Sequence, residues 1–423
     1  MPIQSPFHER TAKFCESNRW KQWAGYYAVC SYDTSHDREY YAIRHSVAMI
    51  DVTPLFKYEV RGKDAGRFLA RAMAKDVSKL KQNQVTYTCW LDDNGKVLDD
   101  GTVTKFEDDY YRVTAAEASY GWLMSLTRGY DVTIDDISEQ WGALSVQGPL
   151  TRDLLKNVID VDMDSLGYFR AARTKFQGKD LVITRTGYTG DLGYELWVPN
   201  ESAIALFDKV YFEGRNYGAE PVGLDAMDVS RVEAGYIMNG VDYYSANRVM
   251  IDARKSTPAE VALGWTVQLD RGPFVGQKAL LEERERGVKK GIITLDIDWD
   301  ETEALYAKFG LPPEICSAAW RTPVPVYNDD GEFIGKASSG AFSPTLKKNL
   351  ALAQLDAGYL KPGTKVKFEM TVEYRRSTVT ATVCESPMFN PERKRFTPKK
   401  AGKPSSAGVG GKQPVFEKGA IHA

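Results

Sequence analysis

Two adjacent carboxylates, Asp99 and Asp100, stand in the run Leu98-Asp99-Asp100-Gly101-Thr102-Val103, just beyond the turn sequence Asp93-Asn94-Gly95. Consecutive strand residues point to opposite faces, so the pair should divide, one acid to solvent and one to the interior. An inward carboxylate among Val97, Leu98 and Val103 is desolvated unless a donor meets it, and in that setting it can orient or accept a proton. The spacing alone also admits two solvated turn-side acids. A second segment runs from Arg185 through Thr186-Gly187-Tyr188-Thr189-Gly190-Asp191-Leu192-Gly193-Tyr194 to Glu195, Leu196 and Trp197. Its glycines form a tight loop in which backbone can approach a ligand closely. Tyr188 offers an aromatic face, and Glu195 opens an apolar strand, where a charge needs a partner. A ligand edge with two adjacent N–H donors, such as a pterin or guanine, would satisfy Glu195 bidentately; pairing with a nearby arginine would do so as well.

The third segment, Gly223 to Gly235, reads as a helix stopped by glycine, with Met227 and Arg231 one turn apart on one face. Arg231 can clamp a ligand carboxylate or pair with Asp225 or Asp228 of its own helix. The fourth, Ser338 to Leu346, reads as a turn-rich loop.

Several elements must position these groups. Gly62 to Asp76 places Phe68, Leu69, Ala72 and Met73 on one helical face. Strands are expected at 85–91 and 97–106 about the Asn-Gly hairpin turn, with Tyr110 to Val113 extending the meander. A strand ends at Gln147 before a helix over 151–158, another covers 180–184, and a helix covers 203–212. Strands and helices alternate in short antiparallel groups, which predicts an α+β architecture over a parallel doubly wound sheet. After about Lys290 short β-prone runs at 324–327, 333–337, 365–370 and 378–384 suggest a small β-barrel. Residues 398–423 are rich in Lys, Gly, Ser and Pro and read as a disordered tail.

Composition narrows the chemistry. The 55 basic and 57 acidic side chains leave a formal charge of −2, so no field favours nucleic acid or an acidic membrane surface. No apolar run is long enough to span a bilayer and no signal peptide is evident, so the chain reads as cytoplasmic. The five scattered cysteines (residues 15, 30, 89, 316 and 384) form no C-x-x-C pair, and there are only four histidines. No metal site or disulfide framework is expected. The glycine-rich phosphate cradles of dinucleotide and P-loop enzymes are missing, which lowers redox and kinase readings. Chemistry should rest on carboxylates, tyrosines and arginines.

In order, these segments resemble the folate-binding aminomethyltransferase family, typified by the glycine cleavage T-protein and including related folate-dependent demethylases. The most specific matches are Arg185-Thr186-Gly187-Tyr188-Thr189-Gly190 with Gly193-Tyr194-Glu195, the helix Gly223 to Ala234, and Ser339-Gly340 with Phe342-Ser343-Pro344-Thr345-Leu346. Gln147-Gly148-Pro149 and Phe274 to Leu280 fall in the expected order. The resemblance implies a three-domain, cloverleaf-like arrangement around a central channel for tetrahydrofolate. Residues 1–285 would form the folate-binding region, with a smaller subdomain at roughly 52–135, and residues 286–397 the C-terminal β-barrel. Asp100 would lie by the reacting folate nitrogen as the catalytic acid or base. Glu195 would hold the pterin edge, Tyr87 and Tyr188 would line the pocket, and Arg231 would bind the cofactor.

The sequence departs from the family at three places. Met227 stands where the family has an arginine, Thr114 where an asparagine is usual, and Asp51-Val52-Thr53-Pro54-Leu55 where T-proteins read Asp-Val-Ser-His-Met. The expected function is therefore one-carbon transfer to tetrahydrofolate N5 from a small methyl or aminomethyl donor, with a lipoyl carrier protein as a less favoured donor. A non-catalytic folate-binding or assembly protein is the alternative.

Overall fold

The computed structural model describes residues 1–398. It is α+β, as expected, and its strands form three main bodies. In the first, Gln84–Leu91, Val97–Glu107, Tyr110–Ala115, Phe56–Arg61 and Thr133–Asp136 lie side by side, all antiparallel. The second is a six-stranded sheet ordered Ala171–Phe176, Lys179–Thr184, Gly193–Pro199, Trp141–Gln147, Val47–Asp51 and Ala219–Pro221. Its last pair is parallel. The third is a closed six-stranded barrel, in which Lys290–Ile297 pairs on one side with Lys348–Asp356 and on the other with Arg375–Cys384. Closure leaves this sheet without an open edge. The tail expected from Pro398 lies, from residue 399 on, outside the described residues.

The amphipathic pattern at 62–76 produces a helix over Ala65–Ala72, whose Phe68, Leu69 and Ala72 pack against Trp90, Val103 and Tyr111 of the first sheet. The hairpin forms at Asn94-Gly95, but only Gly95 takes a positive φ, at +72°. Asp92 explains the difference: its Oδ1 accepts from the backbone N–H of Asn94 and of Lys96, holding the turn with Asn94 outside the left-handed region.

The turn expected over 338–346 forms only at its end, at 344–347; the rest is corrected. Phe333–Ser343 is one long strand, and the run of small residues lets a neighbour in: a Cβ on Gly340 would lie 2.3 Å from a Trp320 ring carbon. Small polar residues here mark close packing rather than a turn.

The helix Leu224–Glu233 lies among these bodies and is buried along its whole length, Asp225 alone excepted. Its charged residues meet partners from other elements. Arg44 Nη2 reaches Glu233 Oε2 at 2.5 Å, Arg321 Nε reaches Asp228 Oδ2 at 2.7 Å, and Ser343 of the barrel donates to Glu233 at 2.5 Å.

Beside the acid pair, Gly101 faces Ala115 across the sheet, and a Cβ there would fall 1.9 Å from the Thr114 carbonyl oxygen. Gly101→Ala must therefore push two central strands apart. We expect it to lower stability by about 2 kcal/mol or more. Urea unfolding of the variant checks this, an unchanged midpoint being the contrary result.

Candidate functional site

Asp100 is met at both carboxylate oxygens by phenols. Tyr87 Oη donates to Oδ2 and Tyr243 Oη to Oδ1, both by very short contacts. Tyr87 lies on the neighbouring strand, two residues from Cys89, the direct cross-strand partner of Asp100, so the two side chains share a face. Tyr243 comes from the loop after the helix Leu224–Glu233. Burial pushes the Asp100 pKa up, and the two phenol donors work against that rise. Burial and the Asp100 charge together push both phenols well above their ordinary range, which keeps them protonated donors.

Asp99 is fully buried, and so is not the solvated partner that strand alternation predicted. Two segments fold over the face that alternation assigns to solvent: the backbone N–H of Glu117 donates to Oδ2 at 2.8 Å, and Asn239 Nδ2 to Oδ1 at 2.9 Å. Burial first, then the Asp100 charge, drive the Asp99 pKa well above the carboxylate range. Both acids are thus pushed up by burial, Asp99 with amide donors at its two oxygens and Asp100 with phenol donors at its own.

Glu195 starts the strand after the glycine loop. Its Oε2 accepts from Thr186 Oγ1 at 2.7 Å and Thr184 Oγ1 at 3.4 Å. Among the described residues no arginine or lysine pairs with it and Oε1 has no donor. Burial raises its pKa, the threonines opposing. The loop's glycines serve a neighbour as well as an open backbone: a Cβ on Gly187 or Gly193 would collide with the Gln147 amide, at 2.1 and 1.9 Å. Buried Gln147 donates to Ser145 Oγ at 2.9 Å and to the Thr186 carbonyl at 3.2 Å, so it braces the loop that carries Glu195. Tyr188 stacks on Tyr236, ring centres 5.7 Å apart, and donates to the Ile237 carbonyl at 2.5 Å.

Arg231 takes the second of its two sequence roles. Its side chain is fully buried, with Nε on Asp228 Oδ1 at 2.7 Å and Nη1 on Asp242 Oδ2 at 2.5 Å. Both charges that meet it are protein carboxylates, while its buried Nη2 has no hydrogen-bond partner among the described residues. Met227 is buried in an apolar cluster with Tyr40, Ile43 and Leu350, and supplies no cation. Thr114 shares a 2.5 Å contact with Thr102 across the sheet. The Thr53 and Leu55 carbonyls both accept from buried Lys57 at 2.7 Å.

Tyr243, Asn239 and Trp265 escaped the sequence reading. Trp265 stacks on Tyr87 with ring centres 5.9 Å apart and planes within 10°, yet is 58% exposed. An exposed tryptophan thus stacks on the half-buried tyrosine that donates to Asp100. Asn239 and Tyr243 sit in Met238-Asn239-Gly240-Val241-Asp242-Tyr243-Tyr244, where a run of polar and aromatic residues was the available signal.

The fold is an α+β molecule with a closed C-terminal barrel, and its candidate site holds two acids, Asp100 and Glu195, that no cation pairs with among the described residues. The comparisons name the family. The GCVT N-terminal domain matches residues 4–271 and the glycine cleavage T-protein C-terminal barrel domain residues 310–390. The aminomethyltransferase of Caldanaerobacter subterraneus subsp. tengcongensis is 32% identical over 371 residues, covering 86% of this chain and 90% of that protein. The aminomethyltransferase of Thermoanaerobacter sp. is 33% identical over 334 residues, covering 78% and 83%. In fold, the glycine cleavage system aminomethyltransferase T from Bartonella henselae matches with a TM-score of 0.79 at 23% identity, over 94% of this chain and 100% of that one. The chain belongs to the glycine cleavage T-protein, or aminomethyltransferase, family. Tetrahydrofolate is the cofactor of that family.

The two acids should separate by substitution. Asp100→Asn should lower single-turnover transfer about 10²- to 10⁴-fold while the cofactor still binds. Asp99→Asn turns an amide N–H against Glu117 N–H or Asn239, and should cost about 1 to 3 kcal/mol of stability with the folded enzyme still active. Tyr243→Phe removes a donor that opposes the rise in the Asp100 pKa, so the acidic limb of its kcat/KM profile should move to higher pH. An unmoved limb would show that Tyr243 has no hold on Asp100.

Proposed function

We propose that this protein is a tetrahydrofolate-dependent one-carbon transferase that moves a methylene or methyl group from a small aminomethyl, N-methyl, O-methyl or S-methyl donor to N5. The observations that carry the reading are Asp100, bonded at both oxygens by phenols, and Glu195, an acid that no cation meets. Tetrahydrofolate, when bound, would supply N5 as the acceptor of the carbon. Glu195 would take the N–H donors of the pterin edge, with Tyr87 and Tyr188 as flat walls. Asp100, held at both oxygens, would orient the reacting nitrogen or accept its proton, so the enzyme's contribution is mainly positioning plus proton handling.

The names of the relatives favour an aminomethyl donor, which for that family is carried on a lipoyl protein and gives 5,10-methylene-tetrahydrofolate. Apolar Met227 and the Thr53-Pro54-Leu55 segment favour a small free donor. Mass analysis of folate products after incubation with an aminomethyl-lipoyl carrier and with candidate methyl donors separates methylene transfer, methyl transfer and no reaction. No product with any donor supports the non-catalytic binding alternative.

Binding itself has a pH signature. Glu195 and Asp100 titrate above their unfolded values, so the free folded chain holds more protons than the unfolded chain between those values. The contribution of these two groups to stability therefore falls as pH rises through that window, because the slope follows protons bound unfolded minus folded. The cofactor's N–H donors favour ionised Glu195 and reverse this. The stabilisation from a fixed concentration of tetrahydrofolate, about 2.7 kcal/mol where that concentration is 100 Kd, should thus grow with pH across the window. Glu195→Gln should weaken binding by roughly 1 to 3 kcal/mol and flatten that pH trend. Titration calorimetry at several pH values measures both, and an unaltered affinity would make Glu195 a structural acid.

A further inference from the structure

The missing cation at Met227 leaves the carboxylate-bearing tail of a folate without an evident partner in the wall. The structure offers another. Lys75 places Nζ 5.6 Å from the ring centre of Trp265, and Trp265 is stacked on Tyr87, which holds Asp100. The sequence Asp100, Tyr87, Trp265, Lys75 thus runs from a buried carboxylate through two parallel rings to an ammonium.

Three features set this lysine apart. It is half-buried, yet among the described residues it has no ion-pair partner, whereas neighbouring Lys79 pairs with Asp76 at 3.1 Å. Burial alone lowers its pKa, with no carboxylate close enough to oppose the shift. Its backbone is fixed on both sides. Ala74 N–H donates to the Cys89 carbonyl on the Tyr87 strand at 2.9 Å, and Gln268 N–H donates to the Ala74 carbonyl at 3.0 Å on the Trp265 loop. Asp76 N–H donates to Gln268 Oε1 at 2.9 Å. An ammonium that is partly desolvated, unpaired and anchored is favoured by an incoming anion.

We infer that Lys75 binds the tail carboxylate of the folate, with Trp265 and Tyr87 flanking the aromatic part of the ligand between that carboxylate and the pterin. The inference rests on the folate reading of the pocket. It places the charge that pairs with the tail on Lys75, beside the exposed Trp265.

The test uses two ligands on the full chain: tetrahydrofolate, and 6-methyltetrahydropterin, which has the pterin edge and no tail. Lys75→Met should weaken tetrahydrofolate about tenfold at low ionic strength, with the loss shrinking as salt rises, and leave 6-methyltetrahydropterin unchanged. Lys75→Arg should keep most of the affinity. Equal loss for both ligands, or unchanged tetrahydrofolate binding by Lys75→Met, overturns the inference and leaves the folate pocket standing. Failure of the unsubstituted protein to bind either ligand removes the folate reading and this inference with it. A melting curve of Lys75→Met without ligand separates lost binding from lost folding. If that variant does not fold, the salt dependence of the ratio of the two affinities in the unsubstituted protein decides: a ratio that salt does not change overturns the inference.

Discussion

The site depends on one buried charge cluster. Arg231 lies with no exposed surface between Asp228 of its own helix and Asp242 of the following loop. Asp242 Oδ1 in turn accepts from Ser338 and Ser339 of the barrel, each at 2.6 Å. The next residue is Tyr243, whose phenol meets Asp100 on the first sheet. One guanidinium thereby ties helix, loop, barrel and hairpin into a single arrangement. Removing one partner of such a buried group leaves an uncompensated charge, at about 3 to 5 kcal/mol. The placing of Asp100 therefore rests on charges that lie outside its own hydrogen bonds.

The distribution of partners is itself informative. Buried Arg44, Arg185 and Arg231 are all engaged, Arg185 by the carbonyls of Leu166, Lys394 and Phe396 where the chain returns from the barrel. Glu195 and Asp100, buried in the same molecule, receive only hydroxyl donors. Desolvation without a cation keeps a carboxylate pKa high and its lone pairs available, which is the state a ligand with N–H donors or a transferable proton can use.

The departures from the family fall into place by location. Met227 faces an apolar cluster, Thr114 replaces one polar cross-strand contact with another, and the 53–55 segment supplies carbonyls to Lys57. None of the three puts a charge into the pocket. What varies is thus the periphery of the site, while the phenol-held acid and the cation-free acid are both in place.

By itself the sequence determined a good deal. The helix at 65–72, the hairpin around Gly95 and the onset of the barrel near Lys290 follow from local periodicity and turn chemistry, which nearest neighbours along the chain decide. The collinear motifs were sufficient to place the chain in its family. Tertiary structure alone decided the rest. Strand alternation put one of Asp99 and Asp100 in water, but Asn239 and the Glu117 amide close over Asp99 from segments 140 and 18 residues away. Arg231 had two possible partners until Asp242 came to lie beside it. Small residues at 338–343 read as a turn until Trp320 packed on Gly340. In each case the local pattern states what a residue can do, and which option wins depends on the desolvation and the partners that distant segments bring, whose energies of a few kcal/mol exceed any local preference.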